Sequence, residues 1–166
     1  MPPISATVLF KRPATVKAEA SDAMGAMGHN GVDSAVMQPS NHRAQIDQVE
    51  QAVLGALERH QYPEAARFAV RLALEEALVN AFQHGHRGLS ADVPVTVEFR
   101  VDDQEVRISV EDRGPGFKPD AVPDCTCEEN LELPSGRGLM LIRSFMAEVS
   151  HDLDGRRVTM VYKRPA

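Results

Sequence analysis

The chain has 166 residues, 43% hydrophobic and 25% charged, enough for one domain with a sizeable core and a tail. Its formal net charge of −6 excludes nucleic acid as the main partner, because phosphate binding needs clustered Lys and Arg, although a locally basic nucleotide pocket stays compatible with it. No apolar run approaches the roughly 18 residues of a membrane span. Nor does an apolar block follow Lys11 and Arg12, so neither a membrane nor a secretory signal is expected and the protein reads as cytoplasmic.

Residues 1–31 read as a disordered tail, and residues 32–166 as the domain. Val8, Leu9 and Phe10 form the one apolar cluster of the tail, and the Ala-, Gly-, Ser- and Met-rich stretch at 20–31 has no sustained period. Such a segment buries too little to offset its ordering entropy. A short strand is expected at 32–38, ended by Pro39. Asn41 then suits the N-cap of a helix to about residue 60, with Ile46, Val49, Val53, Leu54 and Leu57 on one face. Pro63 suits the first turn of a second helix to about residue 84, carrying apolar Phe68, Leu72, Ala73, Leu78 and Val79 and closed by Gly85 and Gly88.

Val93, Val95, Val97, Phe99 and Val101 alternate with polar residues, and Val106, Ile108 and Val110 do the same beyond an Asp102-Asp103-Gln104 turn. This period of two predicts an antiparallel hairpin with one buried face. Residues 117–134, rich in proline and acidic side chains, read as a mobile loop. Its Cys125 and Cys127 are too few for a disulfide framework and lack two further zinc ligands, so they read as reduced thiols. Gly136 opens a helix through Leu139, Ile142 and Phe145. A last hairpin pairs 148–153 with 158–163 across Asp154-Gly155. The element order implies an α+β two-layer sandwich, a mixed sheet with its helices on one face.

Three short motifs carry chemistry. Glu76 and Asn80, four residues apart, share a helix face. The Asn amide oxygen is a hard ligand suited to magnesium, and a carboxylate beside it can take a proton from an attacking hydroxyl. Taken singly, a solvated Glu and an Asn bonded to a loop explain the pair as well. Asp112-x-Gly114-x-Gly116 follows a strand directly. The glycines permit close backbone approach, and the carboxylate can accept from an exocyclic amine such as that of adenine, although a Gly-Pro surface turn accounts for the same residues. Gly136-x-Gly138 stands where a loop becomes a helix, where free N–H groups hold anions. Arg137 between them either adds charge or points to solvent. His84, one turn beyond Asn80, is placed either to orient phosphate or to cap its helix. No Ser-His-Asp set or reactive cysteine points to acyl hydrolysis.

Together these motifs resemble the N, G1 and G2 boxes of the ATPase superfamily shared by gyrase and histidine kinases, and within it the bacterial anti-sigma factor serine/threonine kinases. Leu74 to Ala81, Gly136 to Ile142 and Phe145-Met146 look like theirs. The resemblance implies a Bergerat-type ATP site. Asn80 would coordinate magnesium bridging the phosphates, and Glu76 would be the general base. Asp112 would read the adenine amine with Gly116 under the base and Gly114 between them. Gly136 and Gly138, with Arg137, would hold phosphates, and residues 117–134 would form a lid. Family members phosphorylate a serine on an anti-anti-sigma partner, bind a sigma factor and often dimerise, which makes a homodimer an implied assembly. Two departures stand out. Pro134 replaces an Arg that reaches the terminal phosphate in some members, and Arg156-Arg157 replaces a Gly-Thr pair, leaving Thr159 as the nearby threonine. A nucleotide-binding module that captures a partner without transferring phosphate is the alternative. A histidine kinase core is disfavoured, because only one helix precedes the one carrying Glu76 and Asn80.

Overall fold

A computed structural model describes residues 27–28, 31–116 and 137–165, with the backbone alone at Met27, Gly28 and Arg137. The expectations for residues 1–26 and for the 117–134 loop with its two cysteines lie outside them. Within the stretch expected to be tail, β1 (Met27–Gly28) pairs with β2 (Val32–Met37). Then follow α1 (Arg43–Arg59), α2 (Glu64–Asn80), β3 (Thr96–Val101), β4 (Glu105–Glu111), α3 (Arg137–Phe145), β5 (Glu148–Asp152) and β6 (Arg157–Lys163).

The strands form one sheet in the order β1-β2-β3-β4-β6-β5. Every neighbouring pair is antiparallel, which corrects the expected mixed sheet. Chain parity is the reason. Two helices separate β2 from β3, so the chain reverses an odd number of times and β3 runs against β2. The one helix between β4 and β5 would make those strands parallel, but β6 lies between them and opposes both. The helical layer covers a single face. Val97, Phe99 and Val101 on β3 and Val106, Ile108 and Val110 on β4 are buried against α1, α2 and α3, while Glu98, Arg100 and Arg107 on the other side are exposed. Each such Val or Ile contributes about 1.5–3 kcal/mol on burial. The fold is thus the α+β sandwich expected of a Bergerat-type domain.

Three local details differ from expectation. The N-cap of α1 is His42, without a side-chain cap bond, not Asn41. The Asn41 N–H is taken by the Ala91 carbonyl at 2.9 Å, which keeps the chain extended one residue longer, and Gln45 Oε1 accepts instead from the Ser40 N–H and hydroxyl at 2.7 and 3.0 Å. On α2 the buried stripe is alanine-rich, comprising Ala66, Ala69, Val70, Ala73, Leu74, Ala77 and Leu78. Phe68 lies two positions from both Ala66 and Val70, hence on the opposite side, and is 61% exposed; Val79 is also exposed. Finally, α2 ends as an α-helix at Asn80 and continues as a π turn over Ala81–Gly85. The His86 N–H closes it on the Ala81 carbonyl at 2.8 Å, five residues back.

Candidate nucleotide site

Glu76 and Asn80 emerge from α2 on the flank that meets α3. Both are half-buried. The first turn of α3 lies directly on them. A Cβ added at Gly138 would fall on Glu76 Oε2 and come within 3.4 Å of Asn80 Nδ2. Only a glycine lets the α3 backbone approach this closely. Among the described residues Glu76 has no hydrogen-bond or ion-pair partner, so its carboxylate stands against the positive end of a helix dipole without a counter-ion. Gly136 and the side chain of Arg137 lie outside what is described.

Asp112 arrives from the sheet. It extends the parity of Val106, Ile108 and Val110, so its side chain turns to the helical layer, and it is only 6% exposed. There it meets the end of the π turn. A Cβ at Gly85 would overlap the Asp112 carboxyl, and a Cβ at Gly114 would overlap the Gly85 carbonyl. The two glycines therefore interlock the turn after Asn80 with the turn after Asp112. Asp112 Oδ1 accepts the Gly114 N–H at 2.7 Å, and the Asp112 N–H is bonded to the Arg156 carbonyl at 2.9 Å. Burial pushes the Asp112 carboxyl above its ordinary value, against the opposing pull of the Gly114 N–H and of Arg156. Such a carboxylate retains free acceptor capacity at Oδ2, the chemistry an amine donor needs.

The β5–β6 turn forms the third wall. Leu153, Asp154 and Gly155 have φ of 52, 57 and 81°, a run of left-handed residues rare outside glycine. Gly116, at φ 82°, leaves room for the Asp154 carbonyl. Thr159 does not join this wall. Its hydroxyl bonds Ser109 at 3.0 Å on the outer face of the sheet, while Arg157 is paired with Glu111.

Glu76, Asn80, Gly138, Asp112, Gly114 and Gly116 are thus brought to one end of the domain, bridged by the π turn. His84 is exposed on that turn. Residues that the pattern of the sequence passed over are Gly85, treated there as a helix terminator, and His86. The latter is 5% exposed, and its Nε2 accepts the Arg113 N–H at 3.0 Å. Its one signal in the sequence is adjacency to Gly85. Two surface clefts, of about 670 and 770 Å³, lie elsewhere, beside Phe68 and Phe145 and beside Asp102 and Arg164, and neither is lined by any of these residues. No helix among the described residues is long and apolar enough to cross a membrane, and no group of three or more His, Cys, Asp or Glu side chains there is arranged to hold a metal by itself.

No match is found among curated proteins. The family model for the histidine kinase-like ATPase domain matches residues 39–162, most of the chain and all of the three walls just described. The α+β sandwich, the Glu76–Asn80 face against α3 and the buried carboxylate at the end of β4 all fall inside that match. The chain belongs to the histidine kinase-like ATPase domain family, a family of ATP-binding domains.

Proposed function

We propose that the domain is an ATP-dependent protein serine kinase of the anti-sigma type, which phosphorylates a serine of an anti-anti-sigma partner and sequesters a sigma factor. The observation that carries the chemistry is the closure of Gly138 on Glu76 and Asn80. It supports a catalytic carboxylate, an amide ligand and phosphate-binding N–H groups acting at one point. In this reading Asp112 receives the adenine amine, Gly114 and Gly116 admit the base, and Gly136 and Gly138 hold phosphate oxygens, with His84 and Arg137 at the phosphate end. Glu76 accepts the proton of the attacking serine hydroxyl as its oxygen bonds the γ-phosphorus and ADP leaves. The donor set suits magnesium delivered with the nucleotide, because one amide oxygen, from Asn80, complements an ion that otherwise keeps phosphate and water ligands. When bound, the ion neutralises phosphate charge.

The family assignment supports ATP binding, and the phrases around Asn80 and Gly138 support the anti-sigma branch. The second reading is a nucleotide-gated module that captures its protein partner without transferring phosphate, favoured by Pro134 where some relatives place an arginine. Radiolabel transfer from ATP to an anti-anti-sigma-type partner separates them. Transfer is expected, with Glu76→Gln lowering its rate about 100-fold or more while ATP affinity stays within about threefold, as for loss of a general base. ATP binding without transfer to any such partner would leave the second reading standing.

A further inference from the structure

His86 has no part in the chemistry above, yet it is buried in the seam between the two halves of the site. The π turn sets its position. Its N–H closes that turn on Ala81, and its ring lies edge-on against Phe82, with centroids 5.7 Å apart and planes at 78°. The Nε2 atom accepts the Arg113 N–H at 3.0 Å, so the ring is neutral and its proton sits on Nδ1. That Nδ1 is buried and has no hydrogen-bond partner among the described residues. A phenylalanine or leucine would pack on Phe82 without leaving a polar atom unpaired, which costs free energy in an interior. What an apolar side chain cannot supply is the acceptor at Nε2.

We propose that His86 is a positioning residue for base recognition. It holds the Arg113 peptide, and through it the Asp112–Gly114 turn, in the conformation that presents the Asp112 carboxylate to a purine amine. Three successive N–H groups define that turn. Asp112 donates to the Arg156 carbonyl, Arg113 to His86, and Gly114 back to Asp112 Oδ1. Of the three anchors, His86 alone comes from the helical layer. It sits directly after Gly85, whose missing Cβ makes room for the Asp112 carboxyl. One dipeptide thus clamps Asp112 sterically and its neighbour by a hydrogen bond. Because the same π turn begins immediately after Asn80, the clamp also fixes the spacing between the base-reading and phosphate-binding ends of the site. The inference rests on the assignment of Asp112 as the reader of the adenine amine.

The test compares ATP and GTP binding by calorimetry on the full chain, for wild type, Asp112→Asn, His86→Leu and His86→Gln, together with hydrogen exchange at the Arg113 amide. His86→Leu is expected to weaken ATP binding about tenfold, as for loss of one anchoring hydrogen bond. It should also erode the preference for ATP over GTP and speed exchange at Arg113. Gln can place Oε1 where Nε2 stands, so His86→Gln should recover both preference and protection. A purely structural histidine would lower the melting temperature in both variants and leave the ATP-to-GTP ratio alone, and that result overturns the proposal. If His86→Leu does not fold, His86→Asn, too short to reach Arg113, takes its place. If Asp112→Asn keeps the wild-type preference for ATP, the assignment of Asp112 falls and the clamp with it. If Asp112→Asn loses that preference while His86→Leu keeps it, the clamp alone is refuted.

Discussion

The two ends of the sheet handle buried polar groups in opposite ways. At the end where β2 begins, Asp33 is paired with Arg59 at 2.8 Å and His60 at 3.6 Å, and His60 Nδ1 is bonded to Asp103 at 2.7 Å. The Tyr62 hydroxyl donates to the Asp102 carbonyl at 2.8 Å, and Arg164 lies over the Tyr62 ring at 4.1 Å and bonds the His60 carbonyl. Burial pushes the Tyr62 phenol up to about 12, so it stays a donor throughout the physiological range. Arg164 Nε is the one buried side-chain atom left unpartnered in this cluster among the described residues. Apart from that atom, the cluster consumes its hydrogen-bonding capacity in tying α1, β2 and the β3–β4 turn together. At the other end, among the described residues, Glu76 has no partner, Asp112 receives one backbone N–H, and His86 carries an unpaired Nδ1. Satisfied polar groups mark structure; the capacity left open marks the place for a ligand.

The comparison is most sharply broken at Gly114. Gly114→Ala would set a methyl on the Gly85 carbonyl, so it should cost about 3 kcal/mol of stability by overpacking and abolish ATP binding, read by thermal melting and calorimetry. Retained binding would mean that the interlock is not part of the site. The opposite end should behave otherwise. Asp33→Asn frees Arg59 and His60 and is expected to cost about 2 kcal/mol, as for loss of a buried charge-assisted bond, with ATP affinity unchanged. A matching loss of affinity would show the two ends to be coupled.

The smallest effect near neutrality, and the most diagnostic, is the pH dependence of Asp112. Its carboxyl is raised above the ordinary 3.8 in the folded domain, so the nucleotide-free protein loses stability as pH rises through the window from the unfolded value to the folded one. Binding an amine donor needs the ionised form. ATP affinity is therefore expected to fall as pH drops through the raised value, and Asp112→Asn should flatten that profile in calorimetry between pH 8 and pH 4. An unchanged profile in the variant would assign the titration to another group.

Much of this was legible in the residues. The alternation of Val106, Ile108 and Val110 carries directly to Asp112 and fixes which way its side chain points. The four-residue spacing of Glu76 and Asn80 holds, because Gly138 meets both. The mixed sheet that the element order implies does not form because pairing order depends on where β6 inserts, which no local pattern encodes. Phe68 faces outward because alanines, with Val70, Leu74 and Leu78, form the close-packed stripe of α2. His86 was overlooked for two reasons. Its partner is 27 residues away, and an α-helical period carried past Asn80 selects His84 instead. Only the wider turn brings position 86 inward.

That turn gives the segment length a meaning of its own. A π turn holds one residue more than an α-helix needs for a similar advance. An alanine inserted beside exposed Gln83 would add one helical step that the turn does not already hold, leaving the buried Ala81 and Phe82 ahead of it unchanged. Every later residue up to the exposed 87–92 stretch would then be re-phased by about 100° about the axis. Gly85 would leave Asp112 and His86 would leave Arg113, while Glu76 and Asn80 stayed in place. Within the five residues from Ala81 to Gly85, the site depends on a count as well as on identities. Single-residue insertions there should cut base recognition away from an otherwise intact phosphate end, whereas removal of Gln83, which lets the turn close as a regular α-helix, should spare it.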